Sequence, residues 1–541
     1  MQSNFKFMLT TKRAHPIFSL EEILSIIFRY CGSRKSSSGR EELDSGTLAS
    51  LAKTCRSFRN PALDVLYSDT DMACLVRCMP KDLWVIRSIR DHVFLNFQRV
   101  MEQEDWDLFL SYTCRVRRLR TRSSYAVNSE IYCALSHPPA NSTMFPKLVH
   151  LNCGPEAPVE FLLHLIKPIL ISLSLRFKSG NAIFSDILLS LPSKCPNTRN
   201  LKISRSGPRI DEDTTKSILD VVCALPRLQV LWSVEIVLSE KTLSHLAYLP
   251  SMTLLEARIP AYPLKEFQKG SGAFRALRRL HLSSLTLGSC IQVLESVASS
   301  CISDIHLFVD DGSRDDDLQK AFSLLSAFQN ITHLVIIEHA RKPSAVPNNY
   351  IIDLDMLSPL LRLCNLEHLR LCTQSIFCLD DKDVEKMAFA WPRLELLDLW
   401  RKGGWRSGSQ ITLPGLIPLL QCCPNLQYLG IVVNATTPTA VHSAYDVCTT
   451  SKISLSVGDS PIDNPTEVAD FLRRIMPNVQ HISTWDAFLT GIAQAKEYEA
   501  RWKQVRELVD GTRRAKGTFS FGDTSLLVMH ARLGGTVGWF D

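Results

Sequence analysis

Two pairs of histidines are the side chains best placed to do chemistry. His281 and His306 occupy equivalent positions in neighbouring copies of a repeated phrase, and so do His333 and His368. If those copies form adjacent strands, about 4.8 Å apart, each pair comes within reach of itself. Imidazole nitrogens bind zinc and titrate near neutral pH. A zinc site needs one or two more ligands, and Cys372 is the obvious candidate near the second pair. Local pH sensitivity is therefore expected ahead of metal binding, and neither a metal nor a cofactor is expected.

Other candidates fare less well. The acidic run Asp310-Asp311-Gly312-Ser313-Arg314-Asp315-Asp316-Asp317 lacks the ligand spacing and terminal Glu of an EF-hand loop, and reads as a surface turn before a helix. Cys74/Cys78 and Cys422/Cys423 have the wrong spacing for a zinc knuckle. The sequence holds no G-x-S-x-G elbow, no G-x-x-x-x-G-K-[ST] loop and no H-E-x-x-H. No catalytic residue is expected, and the chain reads as a non-enzyme. Arg115, Arg117, Arg118, Arg120 and Arg122 resemble a nuclear-localisation or nucleic-acid patch. They also overlap a copy of the repeated phrase, which puts them on exposed strand and loop positions. The strand reading is preferred, because no aromatic residue interleaves them to stack on bases.

The element that must position these side chains is the repeat. Trp391-Pro392-Arg393-Leu394-Glu395-Leu396-Leu397-Asp398-Leu399 is its clearest copy, and the pattern is L-x-x-L-x-L. Its first position recurs at Val116, Leu148, Leu170, Thr198, Leu228, Met252, Leu277, Ile302, Ile331, Leu366, Leu394, Leu426, Lys452 and Val479; the copies at Thr198 and Lys452 have lost the first apolar residue but keep Leu201-x-Ile203 and Leu455-x-Val457 at the expected distance. The closing Leu-x-Leu has the period of two of a half-buried strand. Between copies lie apolar stretches at helical spacing, such as Ile183/Ile187/Leu188/Leu191, Ile218/Leu219/Val222/Leu225 and Leu318/Phe322/Leu325/Phe328. A strand and helix alternating about every 27 residues matches the leucine-rich-repeat period of roughly 20–29, stretched by insertions. The fold class expected is α/β: a leucine-rich-repeat solenoid, or horseshoe, over 114–485. A helical linker or cap is expected at 71–113, and a C-terminal helix and capping tail at 486–541.

Bulk composition agrees. At 541 residues the chain exceeds one ordinary core unless that core is a stack of repeats. Sixty-one basic against 55 acidic residues leave a formal charge of +6, modest for this length. No nucleic acid and no membrane partner are expected. Met1 to Arg13 is too short and polar for a signal peptide's apolar core. Seventeen cysteines are then expected to be mostly buried thiols in a reducing, cytoplasmic or nuclear, compartment.

Before the repeats, 1–14 reads as a tail and 15–70 as a helical module. Ser19 can cap a first helix, with Glu22 completing a capping box. Ile23, Leu24, Ile27 and Phe28 form one stripe; Leu48, Leu51, Cys55 and Phe58 form a second, which Pro61 interrupts before a short third segment. Glu22-Ile23-Leu24, Ile27-Phe28, Leu48, Leu51, Thr54-Cys55-Arg56 and Phe58 together resemble the F-box, in particular that of fungal F-box proteins with degenerate leucine-rich repeats. Two departures from that pattern are Ser19-Leu20 in place of Leu-Pro and a long loop from Gly32 to Gly46. The resemblance implies a three-helix F-box module, without catalysis of its own, that binds a Skp-type adaptor and through it a cullin. The implied adaptor-binding residues are Ile23, Leu24, Ile27, Phe28, Leu48, Leu51, Cys55 and Phe58. The implied function is substrate recognition in an SCF-type ubiquitin ligase. The alternative is a binding scaffold whose first helices merely cap the array.

Positions three and five of the phrase should line the open, concave face of the sheet. Interface energy concentrates in aromatic and arginine side chains. The protein-substrate-binding set expected there is Trp232, Arg279, His281, His306, His333, His368, Arg370, Asp398, Trp400 and Tyr428.

Overall fold

Several repeats begin with a tight turn that proline helps to set. The amide of Thr198 donates to the Cys195 carbonyl at 3.1 Å, that of Leu394 to Trp391 at 3.1 Å, and that of Leu426 to Cys423 at 3.1 Å. Pro196, Pro392 and Pro424 hold the second position of these turns, where a fixed φ is pre-organised. The turns are also tied to the preceding repeat. Asn197 Nδ2 donates to the Pro168 carbonyl at 3.0 Å, and Cys423 Sγ donates to the Trp391 carbonyl at 3.3 Å. A strand then starts two residues past every marker position read from the sequence, including the degenerate ones at Thr198 and Lys452.

The structure, a computed structural model, describes residues 20–31, 33–35, 41–89, 92–121, 126–177, 182–205, 212–265, 267, 272–310, 315–338, 350–401, 409–436, 449, 451–484 and 494–515. The tail at 1–14, the Ser19 cap, part of the acidic run and the Gly-rich stretch at 402–408 lie outside the described residues. So does the C-terminal segment beyond 515.

The chain divides within the expected array into two units. One comprises residues 1–260 with 265–277, and the other 261–264 with 278–541. In the first, seven strands form a parallel ladder in the order Asp69–Asp71, Arg118–Arg120, His150–Cys153, Ser172–Phe177, Asn200–Arg205, Val230–Val237 and Leu254–Arg258. In the second, eight do: Arg279–Ser284, Asp304–Val309, His333–Glu338, His368–Thr373, Leu396–Arg401, Tyr428–Gly430, Ser454–Gly458 and His481–Thr484. Parallel neighbours require a crossover between them, and helices such as Glu212–Ala224, Asp315–Leu325 and Asp381–Ala390 supply it. Each unit is thus a parallel sheet backed by helices.

The sealed face of the second ladder is a register-matched column, Leu280, Ile305, Leu334, Leu369, Leu397, Leu429 and Leu455. All are buried. Burial of this kind stabilises by about 25 cal/mol per Å² of apolar surface, so every added repeat extends one core. At the far end the helix Ala495–Ala515 places Trp502 in that core, its indole N–H donating to the Ser460 carbonyl at 2.9 Å.

The structure departs from the expectations in four places. The segment 71–113 is not purely helical: Trp84–Ile89 and His92–Phe97 pair antiparallel, and Ala126–Val127 joins them. Val85, Ile86, Ile89 and Val93 are β-branched, and such side chains fit a pleated surface better than a helix turn. The N-terminal module breaks at Cys55, whose backbone is extended, so the helices are Glu21–Cys31, Ser45–Thr54 and Arg56–Leu66, with Pro61 inside the third. Asp44, unremarked in the sequence, caps the second by accepting from the amides of Gly46 at 3.1 Å and Thr47 at 3.3 Å. Among the described residues the cysteines are not mostly buried: Cys31, Cys55, Cys74, Cys133, Cys301, Cys364 and Cys378 are exposed free thiols. Among the described residues no helix is long and apolar enough to cross a membrane.

Candidate functional site

Helix geometry decides which N-terminal side chains can meet a partner. Leu24, Phe28 and Leu48 form the centre of the three-helix bundle with Ala62 and Val65. The Phe28 and Phe58 rings meet edge to face at 5.2 Å. Leu24 is 1% exposed, so Leu24, Phe28 and Leu48 hold the bundle together and offer no surface. That corrects their assignment to adaptor binding. Ile27, Leu51 and Phe58 are half-buried against this core, and Ile23 is half-exposed beside it. Cys55 is exposed at the helix break, its Sγ 3.2 Å from Ser57 Oγ. The outward apolar side chains of the first helix are Ile26, 55% exposed, and Tyr30, with Leu20 just before it. Sequence reasoning missed these three because the resemblance drew attention to the stripe that the bundle consumes.

Pairing accounts for three arginines of the run, Arg115, Arg118 and Arg120, while Arg117 is exposed. Arg115 binds Asp64 of the third helix, and its Nη2 donates to Asn60 Oδ1 at 3.1 Å. Arg120 Nη1 donates to Asp69 Oδ1 at 2.7 Å, and Arg118 stands 3.7 Å from the same carboxylate. The Arg115 contacts tie the third helix to the segment entering the strand Arg118–Arg120, and the Asp69 contacts join the first two ladder strands. Arg122 lies outside the described residues.

The open face of the second ladder carries two columns of polar side chains. One runs Arg279, Asp304, His333, His368, Leu396, Tyr428; the next runs His281, His306, Val335, Arg370, Asp398, Gly430. The expected histidine pairs are in contact. The His281 and His306 rings stack at 4.0 Å with 4° between planes, and those of His333 and His368 meet at 4.2 Å, tilted. Asp304, two residues before His306 on the same strand and diagonal to His281, meets both. Its Oδ1 is 3.1 Å from His281 Nε2 and 3.0 Å from His306 Nε2. Burial works to raise the Asp304 carboxyl pKa, but the two imidazole hydrogen bonds and their charge outweigh it and hold the group well below the carboxylate range. His333 and His368 are pushed down, chiefly by burial, then by the His368 charge on His333 and the Arg370 charge on His368. His333 Nδ1 lies 2.7 Å from Thr332 Oγ1, and His368 Nε2 lies 3.6 Å from a Glu395 oxygen.

Cys372 does not join the histidines. It is buried beside Val335, Ile337 and Phe308, an apolar cluster on the same face, and burial raises its thiol pKa well above the usual value. The sequence left Asp304 out because column reasoning compares residues directly opposite, whereas Asp304 reaches His281 diagonally across the strands and His306 along its own strand.

Several other expected binding residues are less available than their positions promised. Arg370 and Asp398 are buried and paired, with Arg370 Nε 2.9 Å from an Asp398 oxygen. Tyr428 is buried, which raises its phenol pKa. In the first unit Trp232 is buried under Lys202, whose Nζ lies 4.1 Å from the ring centroid. Open-face side chains crowd one another across strands about 4.8 Å apart, and long residues shield their neighbours. Arg279 is half-exposed. Trp400 is in strand register with Cys372; its side chain lies outside the described part of the structure.

No protein-family model matches the sequence, and no curated protein matches it. Among solved structures the chain is similar to the complex of Rad7 and Elc1 in yeast, at 14% identity and a TM-score of 0.39, covering 87% of this chain and 89% of that one. It is also similar to the functional domain of InlJ from Listeria monocytogenes, which includes a cysteine ladder, at 10% identity and a TM-score of 0.28, covering 66% and 68%.

Proposed function

We propose that this chain is a leucine-rich-repeat protein of the F-box type, the substrate-recognition subunit of a cullin-type ubiquitin ligase in the cytoplasm or nucleus. Its first three helices bind a Skp-type adaptor, and the open face of its ladders holds a protein substrate. The receptor makes and breaks no bonds itself. It raises the substrate's effective concentration beside a charged ubiquitin carrier.

The observation that carries this reading is the outward apolar face of the first helix. Leu20, Ile26 and Tyr30 are exposed on a bundle whose core is already complete, and the bundle is ion-paired through Asp64 to Arg115, just before the ladder strand Arg118–Arg120. A helix presenting such side chains suits a partner's hydrophobic groove. The docking residues proposed are therefore Leu20, Ile23, Ile26 and Tyr30, in place of Leu24, Phe28 and Leu48.

Co-purification of the full chain with a Skp-type adaptor tests it. Wild type should retain the adaptor stoichiometrically. Ile26→Asp/Tyr30→Asp should lose it with an unchanged circular dichroism spectrum. Failure of wild type to retain any adaptor would overturn the reading and favour a scaffold whose helices cap the first strand. The Arg115–Asp64 ion pair is what such a cap would also use. In that case deletion of residues 1–66 should unfold the first ladder.

A further inference from the structure

We propose that His281, Asp304 and His306 form a binding site for one first-row divalent transition-metal ion, such as Zn²⁺ or Co²⁺. The site is independent of the ubiquitin-ligase reading, and it reverses the expectation of no metal drawn from the sequence.

The argument is geometric. Ligand atoms about 2.1 Å from a common cation, at angles between about 90° and 109°, stand about 2.9–3.4 Å from one another. The two Nε2 atoms are 3.1 Å and 3.0 Å from the one Asp304 oxygen. All three ligand atoms lie within 4.8 Å of one another. Both imidazoles therefore already aim the same ring nitrogen at one carboxylate oxygen, and a shared ion requires the two stacked rings to tilt from parallel so that both lone pairs meet it. Adjacent strands hold them in place: His281 is in register with His306, and their rings stack at 4.0 Å. The edge of Phe308 walls one side of His306 at 6.1 Å between centroids.

Two nitrogens and one carboxylate oxygen on one side of an ion leave positions open on the other, as in two-histidine, one-carboxylate sites. Calcium and magnesium prefer all-oxygen shells, so the donor set selects against them. The three side chains are 14%, 21% and 16% exposed, so an ion can enter from the open face. His333 is in register with Asp304 on the next strand, and its ring touches that of His368. The open coordination positions thus sit beside two more imidazoles, which suits a bound water or a carboxylate from a partner.

The test uses the full chain, stripped with a chelator and titrated with Co²⁺. One equivalent should bind with visible d–d absorption and without the sulfur-to-cobalt charge-transfer band that thiolate ligation by the chain's cysteines would add. Asp304→Asn and His306→Gln should each weaken this binding at least tenfold, whereas His150→Gln, on the other ladder, should leave it unchanged. Equal binding in all variants, or a thiolate band at the first equivalent, would overturn the proposal and mean adventitious binding only. A second readout needs no variant. Zn²⁺ should protect His281 and His306 from diethylpyrocarbonate, mapped by mass spectrometry, while His150 and His481 stay reactive. Unprotected modification of the pair at saturating Zn²⁺ would likewise overturn it.

Discussion

Arg370 Nε stands 2.9 Å from a carboxylate oxygen of Asp398 on the next strand, with the two side chains 8% and 7% exposed. Removing one partner of such a pair leaves a buried charge, at a cost of about 3–5 kcal/mol, whereas replacing both with apolar groups is often near neutral. Arg370→Met should therefore destabilise the second unit strongly, and Arg370→Met/Asp398→Leu far less. Urea denaturation of both variants checks this; equal losses would mean that the pair is not coupled.

Gly430 gives the Asp398 carboxylate its room. The two residues are in register, and a Cβ at position 430 would overlap Asp398 Oδ1 and come within 3.1 Å of the Tyr428 ring. Gly430→Ala should cost about 1–3 kcal/mol through overpacking. The loss should shrink in an Asp398→Ala background, which a double-mutant cycle measures.

Within the first helix, opposite faces of one turn should respond differently. Leu24→Ala opens a cavity in the bundle core and should cost about 2–5 kcal/mol. Ile26→Ala changes an exposed side chain and should stay within about 0.5 kcal/mol. Thermal unfolding distinguishes them, and a large effect at Ile26 would show that its face is already occupied within the chain.

Asp105 links the first unit's stability to pH. Arg99 hydrogen-bonds it, with Nη2 3.1 Å from Oδ1, and the Glu102 amide donates to it at 2.9 Å. The Arg99 hydrogen bond, opposed by burial and helped by the amide, lowers its pKa. A depressed folded-state pKa gives stability that is present above the unfolded value of about 3.9 and lost as pH falls through the folded value. The stability gap between wild type and Asp105→Asn should be constant near neutrality and narrow below about pH 4. A gap that widens on acidification would contradict the assignment.

Much of this architecture was legible in the residues. Leu-x-Leu pairs after Pro-x-Leu specify a strand locally, because the alternation and the proline turn act within about nine residues. Even Thr198 and Lys452, which lack the first apolar side chain, precede strands at the expected distance. The strand Asp69–Asp71 escaped notice, since it carries no leucine and is held by pairing with Arg118–Arg120. The hairpin over 84–97 was misread because a short apolar run fits helix and strand alike until it finds a partner.

The histidine contacts were legible for the same reason as the strands: a fixed repeat places equivalent positions side by side. What the pattern did not contain was burial. Leu24 and Ile26 are both apolar and two residues apart, and only the packing of the second and third helices decides that the first is core and the second faces outward. Asp304 likewise reads as one polar position among many in the sequence. It takes the lateral registration of two strands, which sets the Asp304 carboxylate beside His306 on its own strand and diagonal to His281 on the next, to bring three donor atoms within 4.8 Å of one another. Periodicity is a property of the chain's local geometry; convergence of side chains from separate strands is a property of the tertiary fold.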